Sequence, residues 1–265
     1  MPSVEENAVF WDVDYDWSRA GEEWSKAWGG SEAQWFGAIL PRIARFLPAE
    51  TVLEIAPGYG RWTSYLRQYC RRLVVVDLSA RCIEACQARF AGDDRIVYHV
   101  NDGRSLDMVE DESIDFVFSF DSLVHVEADD VARYVQQLAR KLSPNGAGFI
   151  HHSNAGEYRR YFQAASAVQG RPLNAMYKAR IVDNLQSRAL SMNAARFCEQ
   201  LEAAGLQCIG QELINWDTRR RIDCLSTFTT RTSSWSRPNR VLVNRGFTAE
   251  AKAIKRRAHL YSGEP

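Results

Sequence analysis

An apolar run ending in a glycine turn, Val52-Leu-Glu-Ile-Ala-Pro-Gly-Tyr-Gly60, constrains this chain more than any other feature. Close behind it comes a second apolar run that ends in an acid, Leu73-Val-Val-Val-Asp77. A helical pattern takes over near Arg61 between them. Strand, glycine turn, helix and strand ending in an acid make the nucleotide-binding half of a doubly wound α/β sheet. Gly58 and Gly60 lack a Cβ, so the backbone there can turn tightly and approach a ligand. Asp77, at the carboxyl end of its strand, can accept both hydrogen bonds of a ribose diol.

Two kinds of cofactor suit that frame. A dinucleotide site requires Gly-x-Gly-x-x-Gly/Ala with a helix N-terminus facing a pyrophosphate. Here Thr63 fills the third position, and Glu54 before the turn would repel a pyrophosphate. A nicotinamide-dependent oxidoreductase is therefore the less favoured reading. A cationic sulfonium cofactor reverses the sign of the Glu54 interaction. On these residues the chain resembles the class I S-adenosylmethionine-dependent methyltransferases, whose first motif reads roughly Glu/Asp-x-Gly-x-Gly-x-Gly. Ala56 and Pro57 stand where that family often has Gly and a variable residue. The resemblance implies S-adenosylmethionine as cofactor. It also implies a Rossmann-like, seven-stranded sheet with an antiparallel final hairpin and helices on both faces. Cofactor contacts are then expected from Glu54, Ala56, Pro57, Gly58 and Gly60, and from Asp77 with Leu78. Asp102 matches the family's acid for the adenine amine, with Gly103 beside it. Phe120 completes the set at the fourth strand, and Trp28 joins it from the amino-terminal segment.

The 265 residues support one large domain or one domain with insertions. Basic and acidic residues balance at 33 each, so no global field draws nucleic acid or a membrane surface. No run approaches the roughly eighteen apolar residues of a membrane span. The amino terminus lacks the basic-then-apolar order of a signal peptide. The six cysteines include no Cys-x-x-Cys pair, and no metal site is expected from them. Together these features point to a cytoplasmic protein with free thiols. Its oligomeric state is not encoded in any of them.

The chain divides into an amino-terminal helical lid or extension (1–48), a cofactor-binding core (49–154), a helical insertion over the substrate site (155–191) and a carboxyl-terminal part of the core with a tail helix (192–265). Trp11, Trp17, Trp24, Trp28 and Trp35 crowd the first of these, either as plain packing on the sheet or as a cover that excludes water. Helices are expected over 31–46, from Ser79 to about Phe90, over 129–141, over 192–204 and over 248–261. Strands are expected near 95–100, 114–120, 147–150, 207–216 and 222–229, with a short further one at 240–243.

Methyl transfer is an in-line displacement, and an alcohol acceptor must also lose a proton. The resemblance is to O-methyltransferases of small molecules and sugars, which often carry a catalytic His in the segment that holds His125. His152 follows the fifth strand as the second candidate, while strand alternation points His151 to the opposite side. Asp121 can orient the base or touch the cofactor, and with His125 or His152 it can hold a magnesium ion in a metal-assisted variant. The implied partner is a hydroxyl acceptor, either a small molecule or a glycan. A non-catalytic S-adenosylmethionine-binding subunit remains an alternative. Arg219-Arg-Arg221 and the tail helix with Lys252, Lys255, Arg256 and Arg257 invite a nucleic-acid reading. With a neutral net charge, however, they read as solvated faces, and the arginines can instead meet a nucleotide-sugar diphosphate or the phosphate of a glycan.

Overall fold

The computed structural model describes residues 3–167, 176–177, 179 and 181–262. Eight strands form one sheet: β1 (Ala49–Ile55), β2 (Cys70–Asp77), β3 (Ile96–Val100), β4 (Ile114–Ser119), β5 (Leu142–Ser153), β6 (Leu206–Ile214), β7 (Asp223–Thr230) and β8 (Val241–Asn244). They lie in the order 3-2-1-4-5-7-6-8. All neighbours are parallel except β7, which is antiparallel to both β5 and β6. The expected antiparallel closing hairpin is therefore present. The sheet has one strand more than the expected seven, because β8 pairs in parallel with β6 at the edge.

Strands inside such a sheet are covered on both faces, which is why they read as unbroken apolar runs. Successive side chains part company. Val52, Val75, Phe116 and Phe149 join one core, while Leu53, Val74, Val117 and Ile150 join the other. The first core is roofed by helix α2 (Ser31–Gln34), a π turn (Trp35–Ile39) and α3 (Leu40–Ile43), whose Trp35, Ile39 and Ile43 are buried. Ile83 and Cys86 of α5 (Ala80–Arg89) and Ile254 of the carboxyl-terminal α9 (Phe247–Ser262) join it. The second core is roofed by α6 (Ala128–Lys141) and α8 (Ala194–Ala203), through Val131, Val135, Phe197 and Leu201. Asp129 and Asp130 in the first turn of α6, and Arg140 and Lys141 in its last, complement the helix dipole. Gly148 is what lets β7 close on β5, since a Cβ there would lie 2.2 Å from the Phe228 ring.

The helix expected from Arg61 is only the short α4 (Thr63–Leu66). The amino-terminal segment opens with α1 (Val4–Val9), held by a capping box between Ser3 and Glu6, and continues through a π turn (Phe10–Asp14). It lies across the carboxyl ends of the strands, where Asp12 accepts hydrogen bonds from the Ser79 hydroxyl and the Arg81 backbone. After β5 a short turn and α7 (Arg159–Ser166) begin the expected helical insertion. Residues 168–175, 178 and 180 of that insertion lie outside the described residues. Residues 181–193 return to the strand ends as irregular chain.

Candidate active site

Two adjoining cavities open where β1, β2 and β4 end. The narrower one is lined by Ala56, Pro57 and Gly58 from the loop after β1, and by Asp77 and Leu78 from the end of β2. Gly103 and Phe120 close it from the ends of β3 and β4. The loop needs left-handed backbone at Ala56 (φ 59°) and Gly58 (φ 58°). That geometry explains why glycine is common at the first of these positions and why alanine, the smallest side chain, replaces it here. One Asp77 carboxylate oxygen accepts from the Gly58 amide at 3.2 Å and the other from the Ser79 amide at 2.9 Å. Burial raises its pKa to about 6, against the pull of these amides. Each oxygen retains a lone pair for a ligand hydroxyl.

Four residues expected at the cofactor do not line this cavity. Glu54 lies in the core with 1% exposure and accepts the Thr63 hydroxyl at 2.6 Å, leaving its other oxygen without a partner. Burial pushes its pKa up to about 8. Gly60 packs against Phe90, where a Cβ would come within 2.5 Å of the ring. Asp102 is exposed and accepts the backbone amides of Arg104 and Ser105, an Asx turn. Trp28 is fully buried against Phe247 and Trp216.

The wider cavity, about 870 Å³, shares Asn7, Trp11, Trp24, Asp121 and His125 with the first. Tyr15 and Trp216 add aromatic walls, and Glu5, Glu6 and Asp14 add acids at its rim. His125 ends a short 3-10 turn (Leu123–His125) and lies 3.0 Å from the Ser187 carbonyl through Nδ1. A carbonyl can only accept, so Nδ1 carries the proton and Nε2 keeps its lone pair. Burial, and then the nearby Arg188 charge, lower the His125 pKa.

The loop that orients His125 is itself tied down. Arg188 makes a bidentate ion pair with Asp223, with nitrogen–oxygen distances of 3.1 and 3.0 Å. Both groups are buried. Burial alone would raise the Asp223 pKa, yet Arg188 and His151 hold it well below the carboxylate range. Gln186 and Ser187 take left-handed backbone (φ 52° and 58°), as does Asp121 (φ 68°). Asp121 accepts from Arg61 at 3.1 Å, and Arg61 also donates to Ser25 and stacks on Trp62 with 4.4 Å to the ring centroid. Arg61 was not singled out in the sequence. Its position one residue beyond the glycine turn is the signal that marks it.

Both histidines of β5 are buried, on opposite faces of the sheet. His152 points into the second core, stacks on Phe197 at 4.2 Å and meets the Ser226 hydroxyl at 2.8 Å. Burial lowers its pKa to about 4, and it lines neither cavity. His151 points the other way, packs on Phe120 at 4.8 Å, accepts the Asp121 amide at 3.2 Å and faces Asp223 at 3.6 Å, and it too lines neither cavity. A magnesium site joining Asp121 to His152 is therefore geometrically closed. Among the described residues no three His, Cys, Asp or Glu side chains are grouped to hold a metal ion.

The family model of a methyltransferase domain matches residues 52–146. A stretch of 76 residues is 37% identical to ribosomal RNA small subunit methyltransferase A of Geobacter sulfurreducens, covering 28% of each chain. A stretch of 119 residues is 30% identical to phosphoethanolamine N-methyltransferase 1 of Triticum aestivum, covering 44% of this chain and 23% of that one. The chain thus spans about a quarter of the curated relatives it matches. In fold it is similar to an S-adenosylmethionine-dependent methyltransferase from Mesorhizobium loti, with a TM-score of 0.53 and 19% identity over 74% of this chain and 97% of that one.

Proposed function

Residues 52–146 form a class I methyltransferase domain whose cofactor is S-adenosylmethionine, and from that premise we propose that the protein methylates a hydroxyl of a sugar or other polyhydroxylated small molecule or glycan. One observation carries the reading. His125 lines both cavities and presents an unprotonated Nε2 there, because its Nδ1–H is spent on Ser187.

The narrower cavity suits the cofactor chemically. Asp77 offers acceptor oxygens for the ribose diol, the Gly58 backbone permits close approach, and Phe120 and Leu78 give apolar walls. Its open volume of about 80 Å³ is below the roughly 300–1,000 Å³ of small-molecule sites. The cause is Trp17, whose ring lies parallel to Tyr59 at 4.4 Å. The same ring lies 2.8 Å from where a Cβ on Gly58 would be. Residues 4–28 therefore act as a cover that moves to admit cofactor, which deepens the lid reading of the tryptophans. When bound, the cofactor supplies an electrophilic methyl group. His125 then accepts the acceptor's proton at Nε2, Asp121 and Arg61 fix the backbone beneath it, and the tryptophans exclude water.

Flat rings beside rim carboxylates suit a sugar, whose apolar face stacks while its hydroxyls donate. Glu5, Glu6 and Asp14 equally favour an amine acceptor, the second reading, which the similarity to a phosphoethanolamine N-methyltransferase supports. The test is His125→Asn. S-adenosylmethionine affinity should persist while the methylation rate drops roughly 10²- to 10⁴-fold, the usual range for loss of a base. Normal turnover in the variant overturns the assignment. Cofactor binding with no turnover by the wild type, across alcohols and amines alike, favours a regulatory subunit instead.

A further inference from the structure

A further cavity adjoins the wider one. Gln186 and Trp216 also line a third cavity of about 430 Å³, between the loop after β6 and helix α9. Its walls include Trp28 and Phe247, and its basic side chains are Lys252 and Lys255. Three residues apart on a helix, these two lysines share one face. Neither meets a carboxylate or any other hydrogen-bonding partner among the described residues. Arg220, from the other basic run, is by contrast consumed by Asp183 at 2.8 Å. Asp217 also lines the cavity, so the two lysines leave one net positive charge there.

We propose that this third cavity is an anion subsite of the acceptor pocket, holding a phosphate or carboxylate on the part of the acceptor remote from the methylated atom. This rests on the reading of the wider cavity as the acceptor site. Two unpaired lysines on one helix face suit an oxyanion, which accepts several charge-assisted hydrogen bonds at once. The rim acids Glu5, Glu6 and Asp14 line the wider cavity and the lysines the adjoining one, so acidic and basic side chains are segregated between the two. Such a field fixes which end of a substrate lies beside His125. The subsite is a small aromatic-walled cavity rather than a basic stripe, which favours a small molecule over a nucleic-acid backbone.

The experiment uses inorganic pyrophosphate and citrate as probes, titrated into full-length protein carrying ¹⁵N-labelled tryptophan. The indole signals of Trp28 and Trp216 report on the subsite directly, without acceptor or turnover. The expected result is a saturable shift of these signals with at least one probe. Pyrophosphate alone identifies a phosphate subsite and citrate alone a carboxylate subsite. In Lys252→Gln/Lys255→Gln the affinity should fall about tenfold or more, the scale of losing charge-assisted bonds. S-adenosylhomocysteine binding by the same samples should be unchanged, which shows that the variant is folded. No saturable shift, or an equal shift in the double variant, overturns the subsite. A single-stranded RNA oligonucleotide that moves the same signals at tenfold lower concentration than pyrophosphate overturns the small-molecule reading. If the methyl-transfer reading fails, turnover is absent while probe binding and its lysine dependence remain, so the two failures are distinguishable.

Discussion

Replacing Arg188 by Met tests whether the buried ion pair is what holds the catalytic loop. Met has similar length and no charge, so the change leaves the Asp223 carboxylate at 0% exposure without its bidentate partner. The remaining neighbour is His151, whose Nε2 lies 3.6 Å away, too far for a good hydrogen bond. Breaking a buried pair on one side costs about 3–5 kcal/mol, because an uncompensated charge is stranded. The pH dependence identifies the mechanism. In the wild type the Asp223 pKa is depressed, so its stabilisation is present above the ordinary carboxylate range and is lost only as pH falls through the lower folded value. In Arg188→Met burial is left to dominate and raises that pKa, so the variant should regain stability as pH falls from 8 towards 5. Urea unfolding at pH 5, 6.5 and 8 would measure both effects. Arg188→Met/Asp223→Asn should recover much of the loss and abolish the pH slope, since no charge remains to strand. Methylation should stay low in the double variant, because Ser187 is no longer fixed against His125. A loss below about 1 kcal/mol at pH 8, the scale of an exposed pair, would refute the reasoning.

Other consequences can be measured independently. Asp77→Ala should weaken S-adenosylmethionine binding by about 2 kcal/mol, the scale of bonds to a charged group, as read by calorimetry. Binding to the wild type should weaken as pH falls through about 6, where the raised Asp77 carboxyl takes up its proton. Glu54, with its pKa raised to about 8, favours folding in its neutral form. That contribution is fully present below the ordinary carboxylate value and is lost as pH rises towards 8. Glu54→Gln should therefore flatten this slope and stabilise the protein at pH 8 by at least about 1 kcal/mol; an unchanged slope in urea unfolding argues against a protonated Glu54. Residues 4–28 should exchange amide hydrogens more slowly when S-adenosylhomocysteine is bound, and equal exchange with and without it would return the tryptophans to plain packing.

What the sequence made legible is what local backbone geometry controls. The glycine turn takes left-handed backbone at Ala56 and Gly58, and Asp77 is the last residue of its strand. Both can be read from a dozen neighbouring residues, and both line the narrower cavity. His125 belongs to the same class, since it sits a few residues past the end of β4 whatever the rest of the chain does. The misreading of β5 has a different cause. Alternation fixes that His151 and His152 face opposite ways, but which face of the sheet each takes depends on how β5 is registered against β4. Phe118 pairs with Phe149, which puts His151 on the face shared by Phe118 and Phe120. No pattern within β5 carries that information. Arg188 and Asp223 are further from reach still, because their pairing joins positions 35 residues apart, one in the insertion and the other in β7. Asp102 is ambiguous for a local reason: an aspartate after a strand can serve a ligand or cap its own turn, and here its Oδ1 accepts two following amides. The unread part of the site is thus its support rather than the proposed base. His125 could be named from sequence, but the carbonyl that sets its tautomer depends on an ion pair only the folded chain assembles.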